Sequence, residues 1–300
     1  NERKALYDLG QSEEVQTRLR NEAERRHAQA KALQILSETR AKITQAVVLL
    51  RGRDFPGADA LVAGAPLIPP SPEAADVFRR LADWHALNGR WSETVERASY
   101  LYQIDQYDAD NYPSLDGFRL GTALIEVGDM AGYDHFRRSI ISRFSASTNV
   151  IYAERTVKMA LLSPASEEQM QELDPLIGIS AASLDGLTLS RETASYLRWR
   201  MISISLGEYR RGNYELAESW ARKCLTESPP NARRDATARI LLACALFKQG
   251  HPGEARPELA AASEVITVKL RDMTSFRPDE FWPDWIIARI LLREAQGLVL

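Results

Sequence analysis

Cysteine and histidine are scarce in this chain, no long apolar run occurs, and basic charge is not in excess. Cys224 and Cys244 are the only cysteines in 300 residues, too few for a disulfide framework or a zinc cluster. Both read as small buried fillers. His27, His85, His135 and His251 are far apart and lack paired ligand spacing, so each reads as a surface or interhelix residue and no metal site is expected. No stretch approaches the roughly 18 apolar residues that span a bilayer, and no secretory signal is present. These absences favour the cytoplasm. The chain opens with Asn1 rather than Met, so we expect a processed protein or an excised piece of a longer one, with room for a targeting segment or membrane anchor upstream. A net charge of -3 argues against a general binder of nucleic acid or anionic membranes.

Between Glu2 and Arg51 there is no proline and one glycine, Gly10. Nothing there interrupts a helix, and the dense mixed charges from Glu13 to Lys31 suit a solvated face. From about Leu33 an apolar stripe develops through Leu36, Ile43, Val47 and Leu50, so the helix is expected to be exposed at its start and packed from about residue 33. Arg53-Asp54-Phe55-Pro56-Gly57-Ala58 reads as a degenerate turn into a short second helix, closed by Pro66, Pro69, Pro70 and Pro72.

Farther on, glycine turns recur. Gly89, Gly128, Gly212 and Gly250 are 39, 84 and 38 residues apart, so a unit of roughly 40 residues is reused. Seven residues before each glycine stands a small residue, Ala82, Gly121, Ser205 or Ala243, that lets a neighbouring helix approach. Each glycine is suited to a left-handed stop. The helix pairs expected are 73–88 with 92–104, 114–127 with 130–144, 190–211 with 214–227, and 235–249 with 253–270. A less regular pair starts at Val150 and turns at Ser163-Pro164-Ala165-Ser166, and residues 284–300 form a final helix. Strand-like alternation is absent, which makes the chain all-α. The expected organisation is a long N-terminal helix over 1–52, a repeat array over 53–270, and a loop with a capping helix over 271–300. Trp282 and Trp285 are expected to seal that helix against the last repeat.

The best unit, residues 198–230, resembles the tetratricopeptide repeat through Ile204, Ser205, Gly212, Tyr214, Ala217, Cys224 and Pro229. It departs at Glu208, and other units carry Thr94 and Tyr133 in place of the family's alanine. The resemblance implies a right-handed solenoid of antiparallel helix pairs whose concave groove binds a protein or peptide. A narrower resemblance rests on Ala153-Glu154-Arg155-Thr156-Val157-Lys158-Met159-Ala160, on Gly128-Asp129-Met130-Ala131-Gly132-Tyr133 and on the segment 284–295. These look like the repeat region that follows the kinase domain in large bacterial eukaryotic-like serine/threonine protein kinases. That resemblance implies an accessory region that recruits substrates or regulators.

Catalysis finds no anchor. Asp54-Phe55-Pro56-Gly57 followed by Ser71-Pro72-Glu73 imitates kinase markers, but one long helix stands where a kinase needs its glycine-rich loop and catalytic aspartate. Glu13-Glu14, Glu167-Glu168 and Asp279-Glu280 read as helix-start and solvated-face charges. No cofactor is expected. Counted back from the turns, Arg79, Asp83, Phe118, Thr122, Trp199, Tyr209 and Lys248 fall on the face that lines the inner groove in tetratricopeptide arrays. Aromatic and Arg anchors are favoured at such interfaces. The function expected is therefore a non-catalytic interaction scaffold, the alternative being a structural spacer or self-association module with residues 1–31 as the contact helix. The sequence sets no oligomeric state.

Overall fold

The computed structural model describes residues 2–64, 70–104, 112–185, 194–226, 230–276 and 280–299. Pro66, Pro69, Ser190, Pro229 and Pro278 lie outside them. All regular structure among the described residues is helical. The chain divides into two compact units, Asn1–Val77 and Phe78–Leu300.

In the first unit, α1 runs unbroken from Glu2 to Arg51 and α2 spans Phe55–Val62. Residues 13–34 of α1 are all exposed, Leu33 at 67%, and burial begins at Thr39, Ile43, Ala46 and Leu50. The contact stripe thus starts later than the apolar pattern indicates. The helix packed against α1 is short: eight residues are about 12 Å long. The turn between them holds the one non-glycine residue with positive φ among the described residues, Arg53 at 63°. Asp54 closes this turn by accepting from the Gly57 amide at 2.9 Å.

The second unit repeats that turn with glycine. Gly89, Gly128, Gly212 and Gly250 have φ of 69°, 83°, 84° and 84°. In each, the amide after the glycine reaches back five residues to a carbonyl: Arg90 to His85 at 3.0 Å, Asp129 to Leu124, Asn213 to Glu208 and His251 to Leu246 at 2.9 Å. This is a Schellman closure, which satisfies a terminal carbonyl and needs the left-handed residue. Asp54 makes the same bond to Leu49 at 2.9 Å, so Arg53 occupies the glycine position of a fifth copy.

The helices are α3 (Pro72–Leu87), α4 (Trp91–Ile104), α5 (Tyr112–Val127), α6 (Met130–Phe144), α7 (Val150–Ala160), α8 (Glu167–Ala182), α9 (Ala194–Arg211), α10 (Tyr214–Thr226), α11 (Ala232–Lys248), α12 (Pro252–Leu270) and α13 (Trp282–Val299). No glycine stops α7. Instead Leu161 ends it at φ -106°, and Ser166 and Gln169 form a capping box that starts α8.

First and second helices of the pairs differ. Outer helices bury one stripe, such as Ala217, Ala221 and Cys224 on α10 or Ala255, Leu259, Ala262 and Ile266 on α12. Inner helices are buried on all sides over residues 116–124 of α5, 201–209 of α9 and 240–246 of α11. Close approach explains the small residues there. A Cβ on Gly121 would lie 2.7 Å from Phe136, and Ser205 is fully buried with its hydroxyl donating to the Ala217 carbonyl at 2.8 Å.

The last helix packs on the final pair and also reaches beyond it. Residues 282–288 of α13 are buried without interruption, and the helix packs on α5 as well as on α11 and α12. Trp282 Nε1 donates to Asp83 Oδ1 at 2.6 Å, across 199 residues of sequence, and its ring stands 5.9 Å from that of Trp91. Arg289 and Arg293 hold Glu126 of α5 at 2.8 and 2.7 Å, and Glu294 pairs with Arg210 of α9. Trp282 therefore ties α13 to the first pair of this unit as well, while Trp285 Nε1 donates to Glu280 at 3.0 Å.

Candidate partner-binding pocket

The inner helices leave a sizeable apolar cavity, of about 740 Å3, between α5, α7, α9 and the residues that start α13. That size lies within the roughly 300–1,000 Å3 of ligand pockets. Leu115 and Phe118 line it from α5, and Leu197 and Trp199 from α9. Phe281, just ahead of α13, closes one side with its ring edge-on to Phe118 at 6.2 Å. The charged groups are Glu154, Arg155 and Lys158 of α7, Arg200 of α9, and Asp284.

Lys158 holds this wall in place. Its ammonium lies 5.0 Å from the Phe118 ring centre and 4.6 Å from that of Trp199, and donates to Glu154 Oε1 at 3.0 Å. Both members of the ion pair are buried, so the lysine fixes two aromatic faces by cation–π attraction. Asp284 is buried too. Burial pushes its carboxyl above the usual carboxylate range, against the pull of Lys158 and of Arg233, whose Nε lies 3.6 Å away. Arg200 has no carboxylate partner among the described residues; its Nη1 meets the Ser183 hydroxyl at 3.3 Å.

Of the seven residues counted onto the inner face, Phe118 and Trp199 line this cavity. Phe118 is 1% exposed, whereas Trp199 is half-buried. Arg79 and Asp83 belong to a neighbouring ion-pair chain: Arg79 donates to Asp116 at 2.6 Å, Arg119 to Asp116 at 2.9 Å, and Arg119 to Asp83 at 2.7 Å. Their charges are thus taken up inside the protein. Thr122 is fully buried and its hydroxyl donates to the Phe118 carbonyl at 2.6 Å, which leaves it nothing to offer a partner. Tyr209 is also buried and packs on Tyr214 at 6.0 Å; it lies ten residues past Trp199, about 15 Å along α9. Lys248 is exposed beside a different depression, with Tyr214, Leu216 and His251. Counting from the turns groups nearby positions with positions two to three turns away, which share a face but not a site.

Glu154, Arg155, Lys158, Arg200, Phe281 and Asp284 escape that count. The glycine ruler has no mark on α7, and Phe281 and Asp284 reach the cavity only through the tertiary packing of α13. Ala153–Ala160 and the segment from Asp284 stand out in the sequence only through the narrower resemblance, which names no site.

No protein-family model matches the chain, and no curated protein matches it. Among solved structures it is similar to a mutant of MamA at 17% identity and TM-score 0.33, over 64% of this chain and 96% of that one. A second MamA structure, "MamA MSR-1 C2", aligns at 18% identity and TM-score 0.34, over 64% and 95%. A tetratricopeptide repeat protein from Parabacteroides merdae aligns at 10% identity and TM-score 0.45, over 88% and 94%.

The other sequence candidates have structural settings. Burial pushes the Cys224 and Cys244 thiols up to about 12. Among the described residues no group of three or more His, Cys, Asp or Glu is arranged to hold a metal, and no helix is long and apolar enough to cross a membrane.

Proposed function

We propose that this chain is a non-catalytic protein-interaction scaffold that captures a peptide segment of its partner in the inner cavity. The observation that carries this reading is the pair of aromatic walls, Phe118 and Trp199, both held by the buried Lys158 ammonium. A surface fixed before binding loses little freedom when a ligand enters, so modest contact area yields useful affinity. Trp199 is the accessible anchor, and aromatic anchors in partly closed pockets dominate interface energies.

In the finer reading, the array recruits substrates or regulators to a serine/threonine protein kinase domain elsewhere in the same protein. Its support is that the segments resembling the repeat region of such kinases supply Glu154, Arg155, Lys158 and Asp284 to the cavity. Panning a random peptide library against wild type and Trp199→Ala tests the scaffold reading. Selective enrichment on wild type alone is expected, with circular dichroism unchanged by the substitution; equal enrichment on both would remove the cavity from the account.

A second reading is self-association through α1. Its support is the uninterrupted exposure of residues 13–34, including Val15 at 54% and Leu19 at 60%. Solution mass before and after removal of residues 1–31 decides it: a monomer in both cases excludes the oligomer.

A further inference from the structure

Resting on the reading of the cavity as a peptide-capture site, we propose that its ligand is a peptide segment in which a bulky apolar side chain stands beside an acidic one. The apolar half follows from the walls. Leu115, Phe118, Leu197, Trp199 and Phe281 present carbon surface that a Phe, Leu or Ile side chain would cover, and removing that surface from water favours binding.

The acidic half follows from how the charges are already committed. Glu154 is taken by Lys158 at 3.0 Å, and Asp284 faces Arg233 at 3.6 Å, so both carboxylates in the lining have cationic neighbours. Arg200, half-buried on the cavity wall, meets only a neutral hydroxyl among the described residues, and its planar guanidinium suits a carboxylate taken bidentately. A basic side chain entering instead would meet Arg200 and find both lining carboxylates already beside cations.

The test pans a random dodecapeptide library against the full chain as wild type, Trp199→Ala, Arg200→Gln and Arg200→Glu, each checked for native helical signal. Peptides enriched on wild type should share Asp or Glu next to Phe, Leu or Ile. A synthetic consensus peptide should lose roughly tenfold or more in affinity on Arg200→Gln. It should lose more on Arg200→Glu, which should prefer the same peptide with Lys in place of the acid. Peptides that depend on Trp199 but carry no acid, or bind Arg200→Gln unchanged, overturn the charge assignment and leave peptide capture standing. Absence of any Trp199-dependent enrichment overturns both.

Discussion

The helices at the two ends of the chain make the same local hydrogen bonds and meet opposite surroundings. In α1, residues 13–34 are exposed on every side, with paired charges such as Arg20 with Glu24 and Arg26 with Glu22 four residues apart. In α13, residues 282–288 are buried on every side. Such i,i+4 pairs are worth only about 0.2–0.5 kcal/mol each, so the exposed part of α1 persists through helix propensity and the absence of breakers. Burial of a helix on all faces needs partners on all faces. For α13 these come from α5, α11 and α12, together with side chains of α3, α4 and α9.

The difference predicts unequal responses to one chemical change. Ile287→Glu in α13 places an unpaired charge at a site only 1% exposed and should cost more than about 4 kcal/mol, to the point of losing cooperative unfolding. Leu33→Glu in α1, at 67% exposure, should stay within about 0.5 kcal/mol. Urea denaturation of the two variants measures both, and equal losses would dissolve the contrast.

A smaller effect sharpens it through pH. The Asp284 carboxyl is raised in the folded protein above its unfolded value of about 3.9. The folded state therefore binds the proton more tightly, and this contribution to stability is complete below the unfolded value and declines as pH rises through the raised one. Relative to Asp284→Asn, wild type should lose stability as pH climbs from about 4. A rising or flat difference in denaturation midpoint would contradict the burial of that carboxyl.

The smallest effect lies at the end of α1. Arg53 holds φ 63°, a conformation that costs an L-residue about 1–2 kcal/mol. Arg53→Gly removes that strain and adds freedom to the unfolded chain, so a net gain of up to about 1 kcal/mol is expected. Thermal unfolding should show a slightly raised midpoint.

Much of this fold was legible because its determinants are local. Four glycines seven residues beyond small residues marked four left-handed stops, and all four have positive φ. The uninterrupted run before Arg51 marked α1. Arg53 shows that the turn survives without its glycine, held by Asp54 capping Gly57 and by the bond back to Leu49. The cavity was less legible for a physical reason. Phe118 and Trp199 lie on helices with a glycine stop, where counting works, but Lys158 lies on α7, which ends without one. The placement of Phe281 and Asp284 depends on contacts such as that of Trp282 with Asp83, which no local periodicity encodes. Thr122 and Tyr209 fell on a shared face by angle alone and are buried within the helix stack.

Photo-crosslinking tests peptide capture most directly. A library-selected peptide carrying a benzophenone at its apolar position is irradiated with the full chain, and the adducts are mapped by mass spectrometry. Capture in the cavity predicts adducts on residues 115–118, 151–158 and 197–200, lost when excess unlabelled peptide competes. Adducts confined to the outer stripe-forming helices α10 and α12, or spread evenly over the chain, would contradict it.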